Sequence, residues 1–112
     1  MSNEFSVTAR VRISREEGEG SHSFSQGGAE LLRRIDEYHS INKAAKSMKM
    51  AFSNAWTSLR SLEEHFGIPL TCRSVPEGTS LSAAGRTLLE YHDRAEAAAQ
   101  AAAEKIISEM EL

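Results

Sequence analysis

Hydrophobic and polar positions alternate at the start of the chain, where Phe5, Val7, Ala9, Val11 and Ile13 are separated by Ser6, Thr8, Arg10 and Arg12. A period of two predicts an extended strand with one buried face. The charged, glycine-containing run EEGEG follows as a turn, and SHSF is a candidate returning strand, so a hairpin ending around Phe24 is expected.

From Gly28 the period changes. Leu31, Leu32, Ile35 and Tyr38 recur at helical spacing, with Arg33, Arg34, Asp36 and Glu37 on the other face. His39 and Ser40 interrupt this first helix. Ser40 can cap a second one, about two turns long, that turns Ile41, Ala44, Ala45 and Met48 inward. Lys49 to Ala51 makes a short connection, after which Phe52, Ala55, Trp56, Leu59, Leu62, Glu63 and Phe66 are expected to share one side of a third helix. Gly67 ends that helix and Pro69 prevents its continuation. Ser53, Asn54, Thr57 and Ser61 fall on the opposite side with Arg60 at its flank, a face of short polar groups beside a cation.

Leu70 to Arg73 reads as a strand, Pro76, Glu77 and Gly78 as a tight turn, and Thr79 to Leu81 as the returning strand. Ser82 is placed to cap a last helix running to about Met110, roughly 28 residues and on the order of 40 Å long. The expected fold class is α+β, mainly α: a winged helix-turn-helix with an N-terminal strand, a short two-stranded wing and a long C-terminal dimerisation helix. Residues 1–81 form the binding unit, and residues 82–112 form the helix that belongs to the same domain.

Charge changes this picture by its placement. The 112 residues carry a net charge of −3, yet between His39 and Leu62 stand Lys43, Lys46, Lys49 and Arg60 and no acid. A local basic patch matters more to a DNA footprint than the total. Two helices joined by a tight turn suit the major groove, the first bracing on the phosphate backbone and the second offering side chains to base edges. Asn pairs with adenine, Ser and Thr reach several edges, and Arg reaches guanine or phosphate. The candidate DNA-binding residues are therefore Ser40, Asn42, Lys43, Lys46, Lys49, Ser53, Asn54, Thr57, Arg60, Ser61 and Arg73. A solvated helix face remains the plain alternative.

The segments GAELLRRIDEYHSINKAAKSMKMAFSNAWTSLRSLEEHFGIPLTCR and LSAAGRTLLEY carry a resemblance over about residues 27–92. The chain resembles the amino-terminal winged-helix domain of the molybdate-dependent regulators, the ModE type. More distantly it is similar to the LysR-type regulators, with their LE, G, PL and R landmarks and a downstream LT-x-x-G. The most specific pieces are SINKAAKSMKM, the pair Ala55 and Trp56, and GIPL through Arg73. The resemblance implies a DNA-binding transcriptional regulator, with Ser40, Lys43 and Lys46 in the bracing helix, Ser53, Asn54 and Thr57 in the reading helix, and Arg73 at the start of the wing. Ala51 and Phe52 stand where the ModE type usually has Ser and Tyr, and SVPEGTS replaces its glycine-rich wing. The molybdate-binding domains of the full-length regulators have no counterpart in these residues, so neither molybdate binding nor any other cofactor is expected.

Leu88, Tyr91, Ala95, Ala98, Ala102, Ile106 and Met110 form a stripe of three- and four-residue spacings along the last helix. Pairing with a second copy would cover it, and the resembling families dimerise through this region, so the expected partners are double-stranded DNA and a second copy of the chain. Trp56, being large and apolar, is assigned to the core, and Cys72 to a buried strand position. The four histidines, His22, His39, His65 and His92, have no metal-ligand spacing and are expected on the surface. With no phosphate loop or nucleophile elbow, no enzyme is read. The opening residues lack the order of a secretion leader and no apolar run suits a membrane span, so a cytoplasmic protein is expected. Two other readings stay open: a winged-helix interaction module that has lost DNA binding, and a stripped-down oxyanion sensor.

Overall fold

A computed structural model describes residues 4–16, 23–74 and 76–112. Its elements are α1 (Gln26–Tyr38), α2 (Ile41–Ser47), α3 (Phe52–Phe66), β1 (Thr71–Ser74), β2 (Gly78–Leu81) and α4 (Ala83–Ile107). This is the winged helix-turn-helix expected from the sequence, mainly helical, with β1 and β2 as an antiparallel wing in the register Thr71 to Leu81 and Ser74 to Gly78. Among the described residues no helix is long and apolar enough to cross a membrane.

The element ends follow from local chemistry. The Ser40 hydroxyl accepts the Lys43 amide at 3.1 Å and caps α2. At its other end the Met50 amide donates to the Ala45 carbonyl and the Lys49 amide to the Lys46 carbonyl, both at 3.0 Å, with Lys49 left-handed at φ 57°. This pair of bonds is a Schellman closure, and it turns the chain from α2 into α3 within a few residues. Gly67, at φ 71°, ends α3 as its residue type predicts.

Alanines set the spacing of the helix-turn-helix. Ala44, Ala45 and Ala55 are fully buried, and the core around them includes Phe24, Ala29, Leu31, Leu32, Ile35, Leu59, Leu62, Leu70 and Leu81. With only a methyl at each of those three positions, α2 and α3 approach closely while Leu and Ile side chains fill the centre. Arg34 locks α1 to the end of α2, donating to Glu30 at 2.9 Å and to the Ser47 carbonyl at 3.0 Å. Its hydrogen bond to Glu30 holds the guanidinium pKa above the ordinary value.

One residue joins α3, the wing and α4. Leu70 is buried; its amide donates to the Glu63 carboxylate at 2.8 Å and its carbonyl accepts from the Ser82 amide at 3.0 Å. Ser82 also donates its hydroxyl to the Pro69 carbonyl and accepts the Gly85 amide, so it caps α4 while holding it to the chain before β1. Gly85 lies so near the Leu70 carbonyl that a Cβ there would overlap it.

The opening segment departs from expectation. It is extended, and Val7, Ala9, Val11 and Ile13 are half-buried while the residues between them are exposed. Its partner, however, is a helix. Gln100 accepts the Ala9 amide at 2.7 Å and donates to the Val7 carbonyl at 2.8 Å, and Glu96 accepts the Val11 amide at 3.1 Å. His92 Nε2 lies 3.1 Å from the Val11 carbonyl. Side chains spaced four apart on α4 thus serve this strap as a neighbouring strand would. The predicted hairpin is reduced to one bridge between Ile13 and Phe24, and most of its turn lies outside the described residues.

α4 has 25 residues and ends at Ile107, three short of the expected boundary, and the molecule extends 57 Å along its longest axis. Ion pairs from Arg33 to Asp93 and from Arg86 to Asp36 fasten its first half to α1. His92 corrects the expectation of surface histidines: it is 1% exposed, under the strap and edge-on to the Phe24 ring. Cys72 is exposed on β1, because an edge strand of a small wing has little to bury it.

Two glycine substitutions test the packing at Gly85. Gly85→Ala should lower unfolding stability by about 1–3 kcal/mol through overpacking. Gly27→Ala, where a Cβ meets nothing within 4 Å, should raise it by roughly 0.5–1 kcal/mol. Urea denaturation followed by circular dichroism measures both.

Candidate nucleic-acid interface

The face of α3 is set by what it buries. Ala55, Leu59 and Leu62 point into the core and Phe66 packs against it, which leaves Ser53, Thr57, Arg60 and Glu64 opposite. Ser53, Asn54, Thr57 and Arg60 are exposed as predicted, and Ser61 is half-buried. Thr57 and Ser61 border a groove of about 560 Å³ whose walls include Met48, Met50 and Gly28.

Trp56 overturns its assignment to the core. It is 46% exposed and Phe52 is 49% exposed, both on the flank of α3 turned toward the start of α2 and the wing. At 100° per residue Trp56 stands about 90° from the line of Ala55, Leu59 and Leu62, so the alanine and leucines bury without it. Both rings line a groove of about 340 Å³ with Ser40, Asn42, Arg73 and Thr79. The Arg60 guanidinium lies 5.3 Å from the centre of the Trp56 ring, a cation–π arrangement.

The predicted binding residues are therefore split between two sides of α3. Ser40, Asn42 and Arg73 meet at the aromatic flank, and Arg60 and Arg73 also share the adjoining groove beside Ile68 and Glu64. Lys43, Lys46 and Lys49 are exposed on α2 and its turn. Among the described residues none of Lys43, Lys46, Lys49, Arg60 and Arg73 has a carboxylate partner, in contrast to Arg33, Arg34 and Arg86. Ser40 already spends its hydroxyl oxygen on the α2 cap. Phe52 and Trp56 are the residues of this surface that pattern reading missed; for Trp56 the angle from the Ala55–Leu59–Leu62 line was the available signal, whereas Phe52, about 50° from that line, is exposed as the first residue of α3.

The wing is held against the same surface. Gly78, at φ 90°, packs on the His39 carbonyl so closely that a Cβ would overlap it, and the Thr79 amide donates to that carbonyl at 3.0 Å. His39 is itself left-handed at φ 55°, which aims the carbonyl at the wing.

Residues 28–86, just over half of the chain, match the family described as bacterial regulatory helix-turn-helix protein, lysR family. The chain belongs to the LysR family. A solved structure of the CbnR DNA-binding domain in complex with DNA is 25% identical, with a TM-score of 0.56 over 69% of this chain and 87% of that one. The structure of CbnR, a LysR family transcriptional regulator, has the same identity and TM-score, but only 26% of its length is covered. VV2_1132, another LysR family transcriptional regulator, is similar in fold, with a TM-score of 0.52 at 23% identity over 59% of this chain and 22% of that one. The chain thus spans about a quarter of these longer LysR-family relatives. No curated protein matches it.

The stripe expected to dimerise divides in the structure. Tyr91 is 55% exposed and Ile106 66%, and Ala95, Ala98 and Ala102 are exposed between them. Leu88 instead packs against the core, and Met110 lies beyond the helix end and is half-buried. Among the described residues no cluster of His, Cys, Asp and Glu has the arrangement to hold a metal ion.

Replacing Trp56 by Ala should cost less than about 2 kcal/mol of stability, against about 3–5 kcal/mol for a buried tryptophan. Urea unfolding of the two proteins decides between these values.

Proposed function

We propose that this chain is a transcriptional regulator that binds double-stranded DNA sequence-specifically as a homodimer. The observation that carries the reading is the set of cations without carboxylate partners among the described residues, Lys43, Lys46, Lys49, Arg60 and Arg73, around a reading helix with Ser53, Asn54 and Thr57 exposed. A chain with a net charge of −3 that leaves these cations without carboxylates presents a local site for phosphate. The likeness to the CbnR DNA-binding domain, solved with DNA, supports the same reading.

In this arrangement Lys43, Lys46 and Lys49 contact phosphates and fix the register of α3. Ser53, Asn54 and Thr57 then reach base edges, while Arg60 and Arg73 serve the flank and the wing. The line of Tyr91, Ala95, Ala98, Ala102 and Ile106 supports self-association, since its small side chains permit close helix contact. A twofold pair sets two reading helices about 34 Å apart on one face of DNA. Within this reading the pair Ala55 and Trp56 and the strap before α1 favour a ModE-like branch. The other reading is a module that docks on a protein, for which the exposed Phe52 and Trp56 rings would be the contact.

Replacing Lys43, Lys46 and Arg60 together by Gln should flatten the dependence of log K on log salt by about 0.9 for each phosphate that is no longer neutralised. Anisotropy titrations of a selected duplex at several salt concentrations measure this, and absence of binding by the parent protein at low salt would sink the reading. Ala98→Glu should halve the mass in sedimentation equilibrium and weaken binding to a two-half-site duplex, with the fold retained by circular dichroism.

A further inference from the structure

We infer that Phe52 and Trp56 form an apolar contact for DNA that seats thymine 5-methyl groups, so that these two rings read T beside the hydrogen-bonding residues of α3. The inference rests on the DNA-binding reading above. Its first support is position. Phe52 opens α3 and Trp56 follows one turn later on the same flank, and the first turns of a reading helix are those that approach base edges.

The second support is the company the rings keep. Both stay about half exposed in a groove whose other walls are Ser40, Asn42, Arg73 and Thr79, and Arg60 lies over the Trp56 ring. A nonpolar protein partner covering the rings would have to desolvate Arg60 and Arg73, which have no carboxylate partner among the described residues. A nucleic-acid partner neutralises the same two cations with phosphates. Against a nonpolar protein surface, charge therefore favours DNA, the partner of the reading on which this inference rests.

The third support is the chemistry of the groove floor. In the major groove the thymine methyl is the apolar group on a base edge. A ring carried on the flank of a helix slides along the groove wall and meets that methyl by contact. One face of Trp56 is already taken by Arg60, so the free edge and opposite face are what the ring presents. The pair also differs from Ser53, Asn54 and Thr57 in kind, because a methyl contact distinguishes T from C without needing a hydrogen bond.

The test uses the full chain and a duplex selected by it from a random pool. Each thymine of the selected site is replaced in turn by deoxyuridine, which removes only the 5-methyl group, and affinity is measured by anisotropy at fixed salt. At one or more positions the parent protein should bind the deoxyuridine duplex roughly fourfold more weakly for each methyl it buries. Phe52→Ala or Trp56→Ala should weaken binding to the thymine duplex and abolish the difference between the two duplexes at those positions, with the salt slope unchanged. Circular dichroism and melting confirm that each variant is folded, and Trp56→Phe should restore part of the discrimination.

Equal affinity of the parent protein for thymine and deoxyuridine at every position overturns the inference while leaving DNA binding intact. So does discrimination that survives both alanine substitutions, or alanine variants that bind as the parent does. Failure of the parent to bind any duplex at low salt removes the DNA-binding reading and this inference with it.

Discussion

Leu70 is the point through which the working parts are held in one orientation. Its amide is fixed by a carboxylate from α3 and its carbonyl by the amide that begins α4, while its side chain is buried. A backbone group buried without a partner is costly, so both bonds constrain the chain as well as stabilising it. The absence of a side chain at Gly85 lets α4 rest directly on that carbonyl. The angle of α3 to the wing, and of both to α4, follows from these contacts.

α4 distributes its circumference between two tasks. His92, Glu96 and Gln100 give one side to the strap, where they satisfy amides and carbonyls that would otherwise need a strand. Tyr91, Ala95, Ala98, Ala102 and Ile106 lie on another side and stay largely uncovered. A polar histidine is tolerated at 1% exposure because its ring nitrogens have Val11 and Asp93 as neighbours and its ring meets Phe24. Among the described residues no buried side-chain polar atom lacks a partner.

Where a structural feature is decided by neighbours in sequence, the chain was legible. Ser40 and Ser82 marked the starts of α2 and α4, Gly67 marked the end of α3, and the turn at Gly78 was in place. The wing and all three short helices lie within a few residues of expectation, because caps, periodicity and left-handed glycines act locally. Distant contacts were hidden. The alternation from Phe5 to Ile13 announced an extended segment correctly, but nothing in a period of two says that side chains of a helix more than eighty residues away will bind its backbone. Trp56 was read by its hydrophobicity, whereas the orientation of α3 was already decided by Ala55, Leu59 and Leu62. His92 was read by its polarity, whereas its burial depends on the strap crossing over it. For the candidate site, the cations and short polar residues were found and the aromatic flank was not. The landmark residues Leu62, Glu63, Gly67, Leu70 and Gly85 have plain reasons in the fold: two fill the core, one binds a backbone amide, and two are glycines where a Cβ or an ordinary φ does not fit.

The seating of Gly78 on the His39 carbonyl has a mechanical meaning. The corner that launches α2 and the tip-side strand of the wing share one carbonyl oxygen, with the Thr79 amide bonded to it. The wing therefore does not swing as an independent flap; it pivots only if the corner before α2 pivots too. The span between wing and helix is thus set, like the jaw of a caliper, by the chain's own backbone.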